Sequence, residues 1–426
     1  MAITITAVGD IIISRRLSVY DEPRFRDIVD LVRSADVSIA NLETIFHDYE
    51  DDAFPTPTPS GSFMRADPGL IEDLKWFGFD ILSTANNHSL DFMYGGLLRS
   101  MRHLKTAGFS FAGTGRNLAA ARQPAYLDTA NGRVGFISAA STFSAHSRAG
   151  AARPDMQGRP GLNPLRFRTF RVVSAGTLTT LKALALDLDA AEGPSTDSEL
   201  EFLGQRFVVG DETGVRTAAD PADLESNLEA VRDAARQADW VIVALHTHES
   251  RHGQAHRPAE FQEDFAHACI DSGAHAVVMH GAHVLKGIEI YKTRPIFYGL
   301  GNFVYQNMTL EKVPAEFYER YGLDPYRGTP ADAFDAREQQ HPAFAGSEAW
   351  KRWVSVVPKM VFEGGGLKSL SLTPVELGRD RPRSQRGRPV LAGPEEAERI
   401  LEDLRSLCGP YGTEIDIKDD KGFVAV

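Results

Sequence analysis

Residues 3–8 alternate apolar side chains with Thr, the two-residue period of a half-buried strand, and end at Gly9-Asp10. The period then changes. Phe25, Ile28, Val29 and Val32 recur at helical spacing within 24–34, and 37–40 reads as a second strand ending at Asn41-Leu42-Glu43. The alternation continues with a helix over 68–77, a strand over 79–82 that runs into Ser83-Thr84-Ala85-Asn86-Asn87-His88-Ser89-Leu90-Asp91, and a helix over 94–106. Strands follow near 125–127 and 134–139, then a helix over 222–237. The nearly continuous apolar run 240–245 is typical of a buried strand, and a helix over 259–272 leads to a strand over 276–279. Residues 288–291 and 296–298 make a hairpin closing on Gly299-Leu300-Gly301-Asn302-Phe303. A second hairpin, 354–362 with 367–372, turns at Gly364-Gly365-Gly366, and a helix over 394–407 and a strand over 414–417 finish the chain. Strands alternating with helices predict an α/β fold.

Between these elements lie less periodic stretches. Residues 55–61 read as a loop, and 148–164, rich in Gly, Pro and Arg, as a mobile active-site loop or an ordinary surface connection. Residues 167–211 read as an insertion rather than a separate domain, and 306–353 as an insertion or lid. Residues 1–305 thus form the main domain, which 354–426 complete. The five arginines of 379–388 read as a solvated loop more than as an anion site.

Composition narrows the partners. A net charge of −12 over 426 residues argues against general affinity for nucleic acid or an anionic membrane surface. That leaves small molecules, peptides or metal ions. Two cysteines, Cys269 and Cys408, supply neither a disulfide framework nor a cysteine metal cage. No apolar run approaches the roughly 20 residues needed to span a bilayer, and the chain enters a strand at once without a leader pattern, so a cytoplasmic location is expected.

The chemistry gathers where strands end. Five of them deliver oxygen or nitrogen ligands: Asp10, Glu43, Asn87 with His88, His246 with His248, and His280 with His283. In open α/β sheets ligands bind beyond the carboxyl ends of the strands. A single polar tip is ordinary capping. Five are hard to explain structurally, because converging carboxylates repel and buried imidazoles need partners unless a cation sits among them. A set of carboxylate, amide and imidazole without cysteine suits Mn, Zn, Fe or Ca, one or two ions. His88 with Asp91 has the look of a base and its orienter, against a hydrogen bond within a turn. His248, two residues beyond His246, returns to the pocket side of the strand, while His283 stands between ligand and acid/base. His47, His103, His252 and His256 are expected at the surface. Lys286 is expected to meet an anionic substrate or a surface carboxylate, and Asn302 to be structural.

Taken together, Gly9-Asp10, Asn41-Leu42-Glu43, Asn86-Asn87-His88-Ser89-Leu90-Asp91, His246 with Pro258 and Gln262, residues 277–284 and Tyr298-Gly299-Leu300-Gly301-Asn302-Phe303 resemble the CapA (PgsA-like) capsule-synthesis family of the calcineurin-like metallophosphatase superfamily. The resemblance covers about residues 2–305. It implies a metallophosphatase αββα sandwich, here with insertions and a C-terminal hairpin and helix extension. By position it implies Asp10, Glu43 and His283 at one metal, and Glu43 as bridge with Asn87, His246 and His280 at the other, with His88 beside them. Two departures stand out: Ile12 occupies a position where the superfamily usually has His, and the bridging residue is Glu rather than Asp.

The altered pocket resembles that of the soluble peptide epimerases accompanying lasso-peptide biosynthesis. The expected activity is inversion of a Cα centre, at the C-terminal residue of a ribosomal precursor peptide. Metal ions would stabilise the enediolate, and His88, Asp91, His248 and His283 would be the candidates for moving the proton. The alternatives are a metal-dependent hydrolase of a γ-glutamyl, amide or phosphoester bond and a non-catalytic assembly protein.

Overall fold

The computed structural model describes residues 2–426 except 51, 58–60, 342–343 and 345, so parts of the loop expected over 55–61 and of the segment 306–353 lie outside the described residues. The strand Ala2–Ile12 is the hub of the larger sheet. It pairs in parallel with Val37–Leu42, which pairs in parallel with Ile81–Ser83, followed by Ser110–Ala112. Its other edge takes antiparallel Val354–Glu363 along the first half and parallel Asn302–Tyr305 along the second. The smaller sheet has six strands, with Trp240–His246 between parallel Gly132–Ala140 and Ala276–His280.

Burial arranges these sheets in layers. Ile5, Ile39 and Ile81 of one sheet meet Phe136, Ile242 and Val278 of the other in a shared core. On the outer face of the larger sheet, Phe25, Ile28 and Val29 of Pro23–Arg33 and Leu74 and Phe77 of Ile71–Phe77 pack on Val8, Ala40 and Leu82. On the outer face of the smaller one, Val231 of Pro221–Gln237 and Phe261 and Phe265 of Glu260–Asp271 pack on Val241, Val243 and Val277. Both faces of each sheet are therefore covered, which is why the parallel strands read as apolar runs. Each such side chain contributes about 1.5–3 kcal/mol by leaving water. The helix Pro221–Gln237 starts where it does because Asp220 caps it, accepting from the Ala222 and Asp223 amides, with Pro221 in the first turn.

Residues 167–219 build a sheet of their own, with the helix Ala175–Asp187 covering a small core of Leu178, Ala185, Leu200 and Phe202. It runs past residue 211 because Gly214–Ala219 pairs antiparallel with Phe167–Val173. Within 306–353 two short helices, Ala315–Arg320 and Pro330–Gln340, pack Phe317 and Phe334 onto the core under the larger sheet.

Two expectations at the C-terminal end need correction. The strand Ile415–Lys418 does not finish the chain, since Asp419 and Asp420 take left-handed backbone angles and turn it into Lys421–Val424. The arginine-rich stretch is not wholly solvated: Arg388 is 4% exposed, lies 3.9 Å over the Tyr20 ring and pairs with Glu22 at 2.7 Å.

Candidate metal centre

Asp10 owes its position to a break in strand register between Val8 and Asp10. Gly9 sits at that break with no room for a side chain, since a Cβ there would lie 1.9 Å from the Gly301 carbonyl oxygen. Fully buried, Asp10 accepts from the Asn41 amide at 2.8 Å and from the Gly281 N–H at 3.1 and 3.2 Å, and its Oδ2 lies 3.4 Å from His283 Nδ1. Burial pushes its carboxyl up, but His283, His246 and His280 outweigh that and hold it below the ordinary range.

Glu43 follows the neighbouring strand and reaches the same point. Its Oε1 lies 3.7 Å from His246 Nε2, 3.8 Å from His88 Nε2 and 3.9 Å from His283 Nε2. Neither carboxylate oxygen has a hydrogen-bond partner among the described residues. Burial, and then the charges of Asp10 and Asp91, raise its carboxyl well above the ordinary value.

The smaller sheet faces these acids with imidazoles. His246 and His280 end adjacent parallel strands and are paired in register. The Asn41 amide, which also donates to Asp10, reaches His246 Nδ1 at 3.2 Å, so that nitrogen accepts and the ring's proton sits on Nε2. There it faces His248 Nε2 at 3.1 Å. Gly281, at φ +97°, leaves space for this pair; a Cβ would come within 2.9 Å of His246 Nε2 and 2.8 Å of the His248 ring. Burial lowers His246 well below its usual value, His248 to about 3 and His280 to about 4. His283, itself at φ +56°, is held by Asn302: the Asn302 amide donates to the Arg352 carbonyl at 2.9 Å, which leaves its oxygen to accept from His283 Nδ1 at 2.8 Å. His283 Nε2 is thereby left with its lone pair toward Glu43.

The loop after Ile81–Ser83 is tied down by Asn86, which donates to the Leu42 carbonyl at 2.7 Å and accepts from the His88 N–H at 3.1 Å. Asn87 is buried in the same loop. His88 Nδ1 lies 2.6 Å from Asp91 Oδ2, which also accepts from the Met64 amide at 2.6 Å. Burial raises the Asp91 carboxyl, with His88 pulling it the other way.

The structure thus brings Asp10, Glu43, His246, His248 and His283 together: ligand atoms of Asp10, Glu43 and His246, and of Glu43, His248 and His283, lie within 4.8 Å of one another. Three further contributors take their place only in the tertiary structure. Asn41 bridges Asp10 and His246, and the short motif around Glu43 was the only signal for it. Glu249 gathers the hydroxyls of Ser141, Thr247 and Thr142 at 2.7, 2.7 and 2.8 Å, and Thr142 in turn accepts from the His248 N–H. His146 bears on Asp91 through its charge and meets Thr56 at 3.2 Å.

Two expected surface residues are buried. His47 is walled in by Tyr49, Phe92 and Arg65, because the chain folds back over it. Lys286 is 1% exposed and donates to the Glu249 carbonyl at 2.9 Å and to Ser250 at 3.1 Å, so it braces the His248 loop rather than meeting a ligand. His103, half-exposed, pairs with Glu50, while His252 and His256 are exposed.

The donor set fits a divalent ion. Two buried carboxylates, one with both oxygens unpartnered among the described residues, stand among imidazoles of which His246, His248 and His280 are pushed toward the neutral form by burial, and such a group is stable only with a cation or protons among its members. The molecule is therefore an α/β protein with a candidate metal centre at the converging strand ends. The chain belongs to the family described as bacterial capsule synthesis protein PGA_cap, which matches residues 4–307. It is 38% identical over 99% of its length to the uncharacterized protein y4sH of Sinorhizobium fredii, covering 92% of that relative. It is 24% identical to the capsule biosynthesis protein CapA of Bacillus anthracis over 71% of this chain and 60% of that one. A probable polyglutamine synthesis accessory protein of Mycobacterium tuberculosis is 29% identical over 64% of this chain and 56% of its own. Among the described residues no helix is long and apolar enough to cross a membrane.

Proposed function

We propose that this protein is a metal-dependent peptide epimerase that inverts a Cα centre, at the C-terminal residue of a ribosomally made peptide. The observation carrying this reading is the surplus of imidazoles around Glu43. His88 comes from the larger sheet, and His248 and His283 from the smaller, beyond the acids and His246 that one metal position would use. The layered sheets with polar strand ends support a calcineurin-like metallophosphatase scaffold for it.

Asp10, Glu43 and His246 would hold an ion, which would supply positive charge that neutralises a carboxylate and offsets the charge left when a Cα proton departs. The rest falls to the chain. Asp91 fixes the His88 proton on Nδ1, leaving Nε2 as an acceptor pointed at the cluster. His248, from the facing sheet, lies 3.1 Å from His246 and is the group placed to return one. Removal by one imidazole and return by another, from the two sheets, inverts the centre. With manganese-loaded protein and a peptide bearing a free C-terminal carboxylate in D2O, one deuterium should enter at Cα. Chain cleavage without exchange would sink the reading.

A second reading, hydrolysis of a γ-glutamyl, amide or phosphoester bond, has in its favour the capsule and polyglutamine names of the Bacillus and Mycobacterium relatives. Phosphate release from an aryl phosphate, or shortening of polyglutamate, would favour it.

A further inference from the structure

The acids of the cluster and His246 are fully buried, whereas His283 is 16% exposed, so solvent and ligands reach the centre from the His283 side. That side is bordered by the turn Ala349–Trp353. Two contacts lock this turn to the centre. Asn302 holds His283 with its oxygen and the Arg352 carbonyl with its amide, and the Trp353 ring packs on Tyr305 at 5.3 Å, which packs on His283 at 6.2 Å.

The two cations of the turn differ. Lys351 is neutralised by Glu348 and Asp403, both at 2.8 Å. Arg352 makes no ion pair with a described carboxylate; its guanidinium lies 5.7 Å over the Phe344 ring, and its charge is felt at both His248 and His341. A half-buried guanidinium without a counter-charge, next to a pocket that already contains Asp10 and Glu43, has a clear electrostatic use. Those acids repel an incoming anion, and a planar guanidinium at the entrance offsets the repulsion and takes a carboxylate through two parallel hydrogen bonds.

We infer that Arg352 is the binding residue for a substrate carboxylate, held at the entrance of the centre by Asn302 and Phe344, and that the protein acts on anionic rather than neutral peptides. This rests on the pocket being the reaction site proposed above and names the chemistry of its substrate. Lys351, being neutralised, has no part in it.

The test uses manganese-loaded full-length protein and two probes, an N-acetylated tripeptide of glutamate and N-acetylated triglutamine, both keeping the free C-terminal carboxylate so that they differ only in side-chain charge, with binding followed by calorimetry. The wild type should bind the acidic peptide at least about tenfold more tightly, the size of one charge-assisted contact. Arg352→Gln should erase that preference without changing affinity for the glutamine peptide, and Arg352→Lys should keep part of it. Lys351→Gln should leave it intact. A wild type that does not discriminate, or an Arg352→Gln variant that still does, overturns the inference. Cα exchange is read separately: discrimination without exchange sinks the epimerase reading and keeps Arg352 as an anion site, whereas exchange without discrimination does the reverse.

Discussion

His88 Nδ1 and Asp91 Oδ2 stand 2.6 Å apart within one buried loop, and the same His88 ring turns its Nε2 to within 3.8 Å of Glu43. Asp91 thus sets which nitrogen of His88 is free to take a proton. Asp91→Asn should lower the Cα exchange rate by about a hundredfold or more, the usual scale for a misdirected general base, with metal content unchanged. Exchange at the wild-type rate would remove His88 from the proton path.

Glu43 has two buried oxygens without hydrogen-bond partners among the described residues, which a cation would satisfy. Adding manganese or zinc to chelator-treated protein should raise its melting temperature, by about 2.7 kcal/mol of stability at a hundredfold excess over Kd. Asp10→Ala and His246→Ala should abolish that rise and the bound metal seen by elemental analysis. A metal-independent melting temperature would argue that protons, not ions, keep the acids apart.

Glu249 never reaches the cluster, yet it organises Ser141, Thr142 and Thr247 around the His248 backbone. Glu249→Gln should slow kcat by about tenfold through displacement of His248, leaving KM and metal content near wild type. A loss of metal instead would place its effect on His246.

Gly281→Ala forces a Cβ against the His246–His248 pair from a backbone at φ +97°. Strain of this kind costs on the order of 1–3 kcal/mol. The variant should lose metal affinity and melt earlier, as calorimetry with and without metal would show.

Two imidazoles away from the cluster set an acid limit. Burial, and then Arg65, lowers His47 to about 4, and burial, and then Arg294, lowers His275 to about 4, from an ordinary 6.5. As pH falls from about 6.5 to 4 the unfolded chain takes up protons that the folded chain refuses, so stability must drop across that window. Denaturant midpoints at pH 7 and pH 5 should show the loss, and His275→Gln should reduce the difference between the two pH values, whatever the lost bond from the Val241 amide to His275 Nδ1 costs at both.

Much of the architecture was legible because it is written in local periods. The strand over 240–245 and the helix over 222–237 follow from apolar spacing, and both stand in the structure within a residue or so. Lys421–Val424 was not legible, since its turn depends on two aspartates adopting left-handed backbone, which their sequence permits but does not demand. The burial of His47 and Lys286 was not legible either, because it is imposed by segments remote in sequence that close over them.

The sequence by itself determined the family, the alternation of strands and helices, and the residue types that end the strands, since each of these is a property of neighbours along the chain. What only the tertiary structure decided is how those residues meet. Asn41 joins Asp10 to His246, Asn302 joins His283 to Arg352, and Asp91 turns His88 toward Glu43. All but the last link groups from different elements, in some cases from facing sheets, and hydrogen bonds of about 3 Å are fixed by packing rather than by spacing.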